Sequence, residues 1–393
     1  MKIEAVDFFY LALPEIRDIG DGSQDALLVR VRAGDQIGWG ECEAAPLPSI
    51  ASWNCPMSHG ACKPISASVL GHRLDSVEDI ARIHARVRSA SFDLLQTDHT
   101  LSGIDIALWD LLGRRRGEPV YRLLGYPQAH PRTAYASQLF GDDPQATYAA
   151  AREVALTPLR AAKFGWGPYG HGSVADDEAH VRAAREGLGP DIALMVDAGT
   201  VWGEDVDAAA ARLPALEDAR VVWLEEPFAN GALSAYAELA RRCRRVRLAA
   251  GEGCHDFHQA RNMLDHAGLG FVQIDTGRVG GITTATEVAR LADRRGIQFV
   301  NHTFTTSLAL SASLQPYAGS EAPMYCEFPF APSSLGRDLT RTRLLPDTQG
   351  LVRLPEGPGL GLEPDPAALR KYAVDYRIEV AGRTLVASPP LPE

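Results

Sequence analysis

The sequence predicts an α/β protein, specifically a modified (β/α)8 TIM-type barrel with an N-terminal α+β capping domain. Two observations support this fold. From about residue 130, short apolar runs alternate with Ala-rich helical segments, and eight such runs recur roughly every 25–35 residues, as barrel strands do. Before that point the pattern differs, and 393 residues are enough for a barrel plus a smaller domain.

The capping domain is expected over residues 1–128. Residues 25–32 and 37–42 carry alternating apolar positions, which predict two antiparallel strands. Gly and Asp at residues 34–35 predict the turn that joins them. This part of the chain is therefore expected to form a small sheet with helices packed beside it.

The remaining segments divide by pattern. Residues 49–62 are rich in Pro, Ser, Asn and Gly, which predicts a loop, and residues 63–125 have helical periodicity. The catalytic barrel is expected over 129–350, and the turn-rich segment 351–393 is expected to pack back on the capping domain. The helix signal after the eighth strand is weak. The eight candidate strands lie near residues 132–137, 160–164, 191–196, 220–224, 247–251, 270–274, 297–301 and 324–327.

Composition excludes several classes of partner. The formal net charge is −11, whereas nucleic-acid binding requires clustered Lys and Arg. No apolar run approaches the roughly 20 residues that span a bilayer, so we expect no membrane partner. The first residues resemble an edge strand and lack the apolar core of a signal peptide, so we expect a cytoplasmic protein.

Acidic side chains follow three consecutive candidate strands. Asp197, Glu225 and Glu252 stand at their C-terminal ends, where barrel strands share one mouth. Without a cation, three carboxylates in that position would repel one another and favour protonation. Because all three ligands are oxygens, the pattern predicts Mg²⁺ and not Zn²⁺.

A second pair of polar side chains ends the sixth and seventh candidate strands. Asp275 and His302 stand at matching positions there and are expected to form a hydrogen bond. A carboxylate on one imidazole nitrogen fixes the tautomer and raises the basicity of the other nitrogen. The pair is therefore a candidate catalytic base.

The order and spacing of these motifs resemble the enolase superfamily, in particular its mandelate racemase subgroup. The resemblance covers nearly the whole chain. Asp275 also separates this chain from the muconate-lactonizing subgroup, which has Lys at the sixth strand. The matching motifs are Ser102-Gly-Ile-Asp-Ile-Ala-Leu-Trp-Asp110, Val196-Asp197, Leu224-Glu225-Glu226-Pro227, Gly251-Glu252, Asp275 with Gly280-Gly281, His302, and Pro358-Gly-Leu-Gly-Leu-Glu363.

The resemblance implies roles for particular residues. Asp197, Glu225 and Glu252 match the Mg²⁺ ligands, and His302 with Asp275 matches the His–Asp dyad. Glu327 matches the acid that hydrogen-bonds the substrate carboxylate. The expected reaction is removal of a proton α to a carboxylate, which gives an enediolate, and family likeness implies a homo-oligomer.

One departure from the family pattern bears on the reaction. The subgroup has Lys-x-Lys on the second strand, whereas this chain has Lys163-Phe164-Gly165. Racemisation requires a base on each face of the substrate, but β-elimination of water requires only one, and His302 can then serve as base and acid. The sequence therefore favours an acid-sugar dehydratase, and Lys163 stays a candidate base if the backbone places it differently.

Two alternatives stay open at this point. The first is an epimerase, racemase or cycloisomerase that acts on a sugar acid or its lactone. The second is a non-catalytic metal-binding relative, although such a protein would not need Asp275 and His302 in addition to three metal ligands.

Substrate contacts are expected from loops around the mouth. Tyr169 and His171 lie in an unusually long segment after the second strand. Two capping loops, 16–22 and 48–60, are expected to cover the mouth, with Arg17 in the first and Trp53 and His59 in the second. Gly199 replaces an Asn that is frequent in the family, which removes one expected hydrogen bond to the substrate.

Overall fold

The computed structural model describes residues 1–20, 22–43 and 45–392. Its N-terminal part, here called the cap, begins with an antiparallel sheet of β1 (Ala5–Ala12), β2 (Asp25–Ala33) and β3 (Gln36–Cys42) in that order. The predicted hairpin is confirmed, with Ala33 paired to Gln36 across the turn. The helices of the cap are α1 (Pro46–Trp53), α2 (Ser66–Val69), α3 (Val77–Ala90), α4 (Thr97–Arg116) and α5 (Val120–Leu123).

Helix α1 corrects the sequence prediction, because part of the expected loop 49–62 is helical. Two prolines stand in its first turn, Pro46 and Pro48, where the helix needs no backbone N–H donors. Ile50 and Trp53 are buried, and the Trp53 ring lies 5.6 Å from the ring of Phe8 in β1. Burial of these two side chains against the cap sheet outweighs the turn-forming composition.

Helix α4 lies directly on strand β3. An added Cβ at Gly40 would overlap the carbonyl oxygen of Gly103, and one at Gly103 would lie 2.5 Å from the sulfur of Cys42. Only glycines allow the two backbones to approach this closely. The central residues of α4 are buried all round, as expected for a helix enclosed by the cap sheet on one side and the barrel on the other.

The second part is a nearly closed parallel barrel, which confirms the predicted fold. In the described residues its eight parallel strands follow the order β10-β9-β8-β7-β6-β5-β4-β11. Tyr135, Met195, Trp223 and Phe271 fill the interior. The strands are β4 (Arg132–Leu139), β5 (Ala161–Gly165), β6 (Ala193–Asp197), β7 (Val221–Glu225), β8 (Arg247–Ala250), β9 (Phe271–Asp275), β10 (Gln298–His302) and β11 (Tyr325–Pro329).

Each of these strands is followed by helix. The helix after the eighth strand has only five residues, in agreement with its weak signal in the sequence. The helices are α6 (Pro144–Ala155), α7 (Val174–Leu188), α8 (Val206–Ala210), α9 (Leu213–Asp218), α10 (Leu233–Arg242), α11 (Phe257–His266), α12 (Gly281–Arg295), α13 (Ser307–Leu314) and α14 (Ser334–Asp338). No helix within the described ranges is long and apolar enough to cross a membrane.

The C-terminal segment contacts both parts of the molecule. It contains β12 (Leu351–Val352), α15 (Pro366–Tyr372), β13 (Arg377–Val380) and β14 (Arg383–Ala387). Strand β12 pairs with β4 of the barrel. Further on, the Val374 amide donates to the carbonyl of Tyr10 at 2.8 Å, and the Tyr376 hydroxyl donates to the carbonyl of Phe8 at 2.8 Å.

The stretch 102–110, which resembles a family motif, attaches the cap to the barrel. Asp105 accepts hydrogen bonds from the Thr283 amide at 3.0 Å and from its hydroxyl at 2.5 Å, at the start of α12. The Ser102 hydroxyl accepts from the Gly280 amide at 2.8 Å. A Cβ at Gly281 would overlap the Asp105 carboxylate. The motif therefore positions the cap over the C-terminal end of the barrel.

Candidate active site

Three carboxylates stand on neighbouring strands at the barrel mouth. Asp197 ends β6 and Glu225 ends β7, and the two residues are paired in the parallel register. Glu252 follows β8 by two residues. All three lie on the same side of the barrel, as the sequence predicted from strand spacing alone.

The ammonium group of Lys163 lies among these carboxylates. Its Nζ contacts Glu225 at short range and lies 3.0 Å from Glu327 Oε1 and 3.5 Å from Asp197 Oδ2. Burial disfavours the charged amine, but the surrounding carboxylates outweigh burial and raise the pKa of Lys163 well above its usual value. In this arrangement Lys163 is a cation that holds carboxylates and not a free base.

Within residues 1–20, 22–43 and 45–392, no three His, Cys, Asp or Glu side chains converge closely enough to hold a metal ion as they stand. The carboxylate oxygens instead contact cationic side chains, Glu225 through Lys163 and Glu252 through His302. Metal binding therefore requires these carboxylates to exchange such contacts for the ion.

The chemistry of the cluster nevertheless fits a hard cation. Burial and the neighbouring Asp197, Glu327 and Glu252 raise the pKa of Glu225 to about 8 despite the opposing effect of Lys163. Next to it, the Glu226 pKa is also raised, and its buried Oε1 atom has no hydrogen-bond partner among the described residues. A group of buried oxygens with this much unbalanced charge is stabilised by a divalent cation.

His302 and Asp275 form the expected pair. Nδ1 of His302 lies 2.7 Å from Asp275 Oδ2, and the two residues are aligned in register on β10 and β9. The other ring nitrogen, Nε2, lies 3.1 Å from Glu252 Oε2. Burial alone would lower the pKa of His302, but Glu252, Glu327 and Asp275 raise it to about 10. The carboxylates therefore control the charge of this imidazole.

Glu327 is held on several sides. Its Oε1 accepts from the Ser137 hydroxyl at 2.8 Å, and its Oε2 accepts from the Thr303 amide at 2.8 Å. Burial would raise the pKa of Glu327, but Lys163 and His302 outweigh it and lower the pKa. The structure thus favours an ionised Glu327, and its role as an acid stays a prediction.

A cavity of about 580 Å³ opens at this mouth, a volume that suits a small-molecule ligand. Ile19 and Gly20 from the predicted cap loop 16–22 form part of its wall; Asp21 of that loop lies outside the described residues. Among the predicted site residues, Lys163, Asp197, Glu252, His302 and Glu327 line the cavity.

Sequence reasoning missed other side chains that line the cavity. Trp166 and Phe304 are aromatic residues that follow strands β5 and β10. Arg278, in the loop after β9, forms an ion pair with Glu43 of the cap and lies 3.7 Å from Glu252 Oε1. The available signal was their position shortly after barrel strands, which also applies to many residues outside the cavity.

The five proposed substrate contacts lie elsewhere; among the described residues, none of them lines the cavity. Tyr169 is buried, with its ring stacked 5.0 Å from that of Phe140. His171 is exposed beyond that cluster, and Arg17 forms backbone hydrogen bonds in the cap loop. Trp53 packs in the cap core, and His59 pairs with Asp93 at 3.1 Å on the surface.

At two positions where this chain has glycine and the family pattern has a larger residue, the surroundings leave little space for a side chain. A Cβ added at Gly165 would lie 2.6 Å from Asp197 Cβ, so a lysine there would require the strand ends to move apart. A Cβ added at Gly199 would lie 2.9 Å from the Trp166 ring. The space that an Asn would fill at position 199 is thus occupied by the indole.

Comparison with known families agrees with this architecture. A family model described as "Enolase C-terminal domain-like" matches residues 146–368, more than half of the chain. Another, described as "Mandelate racemase / muconate lactonizing enzyme, N-terminal domain", matches residues 20–125. The chain belongs to the mandelate racemase/muconate lactonizing enzyme family. Members of this superfamily combine a Lys or His base with Mg²⁺.

Relatives within the family carry different names. The chain is 28% identical over 361 residues to D-galactarolactone cycloisomerase of Agrobacterium fabrum, covering 88% of this chain and 90% of that one. It is 28% identical to chloromuconate cycloisomerase of Pseudomonas putida, covering 95% and 99%. The solved structure of a predicted mandelate racemase from Rhodobacter sphaeroides is 58% identical, with a TM-score of 0.95 over 99% of this chain and 100% of that one.

Proposed function

We propose that this protein is a Mg²⁺-dependent lyase that eliminates water from a sugar acid, with His302 as its single base. Asp197, Glu225 and Glu252 would hold the metal, and Asp275 would orient the imidazole. The chemistry that Mg²⁺ supplies when bound is positive charge, which stabilises the enediolate oxygens and lowers the pKa of the neighbouring imidazole.

The observation that carries the proposal is the crowding at Gly165. A lysine at this position would provide the base for the second face of the substrate, but its Cβ would collide with Asp197. The one lysine on β5, Lys163, is already held by Glu225, Glu327 and Asp197. Among the described residues, the face of the cavity beside β5 thus has no free base, and this supports elimination over racemisation.

The residues of this chain then act in sequence. Nε2 of His302 removes the α-proton while Asp275 holds Nδ1. As the electron pair forms the Cα–Cβ double bond, the β-hydroxyl leaves on the same face. The imidazolium returns the proton to that oxygen, so that water departs and His302 is restored. Lys163 would attract the substrate carboxylate, and Glu327 would hydrogen-bond it once protonated.

Cycloisomerisation is the second candidate, because two relatives are named cycloisomerases. On a lactone, the same loss of the α-proton would break the bond between Cβ and the ring oxygen. The ring would open without loss of water, and one base would again suffice. The two reactions thus differ in the leaving oxygen and share the proposed site.

A substrate screen tests the proposal. Purified protein with Mg²⁺ would be incubated with monoacid and diacid sugars and with their lactones, and products would be measured by mass spectrometry and as 2-keto acids. Dehydration gives a product lighter by one water, whereas cycloisomerisation gives a product of equal mass. Absence of both products and of α-proton exchange in D₂O across the library would contradict the proposal.

A further inference from the structure

Trp166 has an unusual backbone conformation at the edge of the cavity. It follows the last residue of β5 and has φ of 56°, and the next residue, Gly167, has φ of 62°. A bulky residue in the left-handed region is a genuine outlier, and such strain is concentrated at functional sites. The Trp166 amide donates to the Asp197 carbonyl at 3.4 Å, which ties the turn to the adjacent strand end.

Two glycines on separate loops make room for the indole. A Cβ at Gly199, after β6, would lie 2.9 Å from the ring, and one at Gly20, in the cap loop, would lie 3.3 Å from it. Trp166 is nevertheless 46% exposed as a residue, and it lines the 580 Å³ cavity. An exposed indole, fixed by the barrel and the cap together, is a prepared apolar surface.

The indole and the imidazole stand on different sides of the mouth. Trp166 follows β5 and His302 ends β10, and by the shorter path through β11 and β4 these strands are three positions apart. In an eight-strand barrel this separation corresponds to roughly 135° around the axis. A substrate between them therefore has the base on one face and the indole on the other.

We propose that Trp166 is a specificity-determining residue that stacks on the C–H face of a ring-shaped sugar acid, such as a lactone. The inference rests on the proposed function and names the substrate class for that site. A rigid ring presents a flat apolar face to the indole, and its opposite face then meets His302. An open-chain acid must lose several rotamers to present a comparable surface, so it gains less from the indole.

The kinetic test compares ring-shaped and open-chain forms of the same sugar acids. Trp166→Leu keeps an apolar side chain but removes the flat ring, and Trp166→Phe keeps a smaller ring. For lactones, we expect Trp166→Leu to raise KM by about tenfold and Trp166→Phe by less. For open-chain acids the change is expected to stay within about twofold. An equal change for both classes would overturn the proposal.

A binding test separates this proposal from the proposed function. Sugar lactones would be titrated into the wild-type protein with Mg²⁺ while tryptophan fluorescence is recorded. The control is Trp202→Phe, since Trp202 is buried and packs on Tyr169 and Arg212. We expect a signal change in the wild type and in Trp202→Phe but not in Trp166→Phe.

The outcomes are distinct. A Trp166-dependent signal without turnover or α-proton exchange would refute the lyase and keep the stacking site. Dehydration of a sugar acid without any Trp166-dependent signal on lactone titration would refute the stacking site and keep the lyase. Absence of both would refute both.

Discussion

The face of the cavity formed by β8, β9 and β10 differs from the face formed by β5 and β6 in what it offers a substrate. On the first face, His302 is bonded to Asp275 and lies beside Glu252. On the second, Gly165 leaves no space for a side chain, and Trp166 lines the cavity. Proton transfer is thus expected from one side and apolar packing from the other.

The difference arises from local crowding and not from a different fold. Both faces are built from parallel strand ends in continuous register. Gly165, crowded against Asp197, stands where the family's Lys-x-Lys motif has its second lysine. The proposed reaction type therefore depends on one or two side-chain positions at the barrel mouth.

Loss of the proposed base should have the largest effect. We expect His302→Asn to reduce α-proton exchange by about 10³-fold or more, because Asn cannot accept the proton. NMR in D₂O measures this directly. His266→Asn, on an exposed position of α11, provides the control and should exchange at the wild-type rate. Comparable exchange in both variants would show that His302 is not the base.

Loss of a proposed metal ligand should rank next. Glu225→Gln is expected to weaken Mg²⁺ binding and to lower turnover by roughly a hundredfold or more, because the cation stabilises developing charge by several kcal/mol. Calorimetric titration with Mg²⁺ checks the binding. Glu186→Gln, on the exposed side of α7, should bind Mg²⁺ like the wild type. Unchanged affinity in Glu225→Gln would exclude this residue as a ligand.

The crowded face can be tested with a single methyl group. In Gly165→Ala the new Cβ would lie 2.6 Å from Asp197 Cβ, so the strand ends must separate. We expect turnover to fall roughly a hundredfold, as displacement of a site by about 1 Å can cause. Gly60→Ala has open space around its Cβ and serves as the control. Wild-type kcat/KM in Gly165→Ala would show that this face can accept a side chain.

A buried contact between the cap and the barrel should have a smaller effect, which is seen in the free energy of unfolding. His84 of α3 is buried with Nε2 3.0 Å from the Gly280 carbonyl, and burial, aided by Arg88, lowers its pKa from 6.5 to about 4. Below pH 6.5 the unfolded chain therefore binds a proton that the folded protein excludes. The contribution of His84 to the free energy of unfolding is therefore complete above pH 6.5. As the pH falls toward 4, this free energy decreases by about 3 kcal/mol.

Urea unfolding between pH 7 and 4 measures this contribution. His84→Gln keeps a donor for Gly280 but cannot titrate, so its stability should fall less over the same range. Parallel curves for the variant and the wild type would contradict the assigned pKa.

Much of the fold was predictable because the apolar segments that form barrel strands recur at regular spacing in the sequence. All eight barrel strands lie within a few residues of their predicted positions, and the carboxylates follow from reading each strand to its end. Helix α1 was missed because its prolines and serines are typical of loops, while the burial of Trp53 depends on the distant Phe8.

The details of the site were less predictable. The contacts of Lys163 with three carboxylates depend on side-chain packing between strands, which no local pattern records. The indole of Trp166 reaches the cavity because Gly20 and Gly199, distant in the sequence, leave it space. The domain limits at 128 and 350, the cytoplasmic location and the homo-oligomer stay predictions.

The most direct test of one-sided chemistry follows the configuration at the α-carbon. The wild-type protein with Mg²⁺ and a substrate from the screen would be incubated in D₂O, and the starting acid, its α-epimer and the products would be followed by NMR. A single base on the His302 face predicts loss of the α-proton and product formation without any epimer. Accumulation of the epimer with deuterium at its α-carbon would reveal a second base and contradict this account.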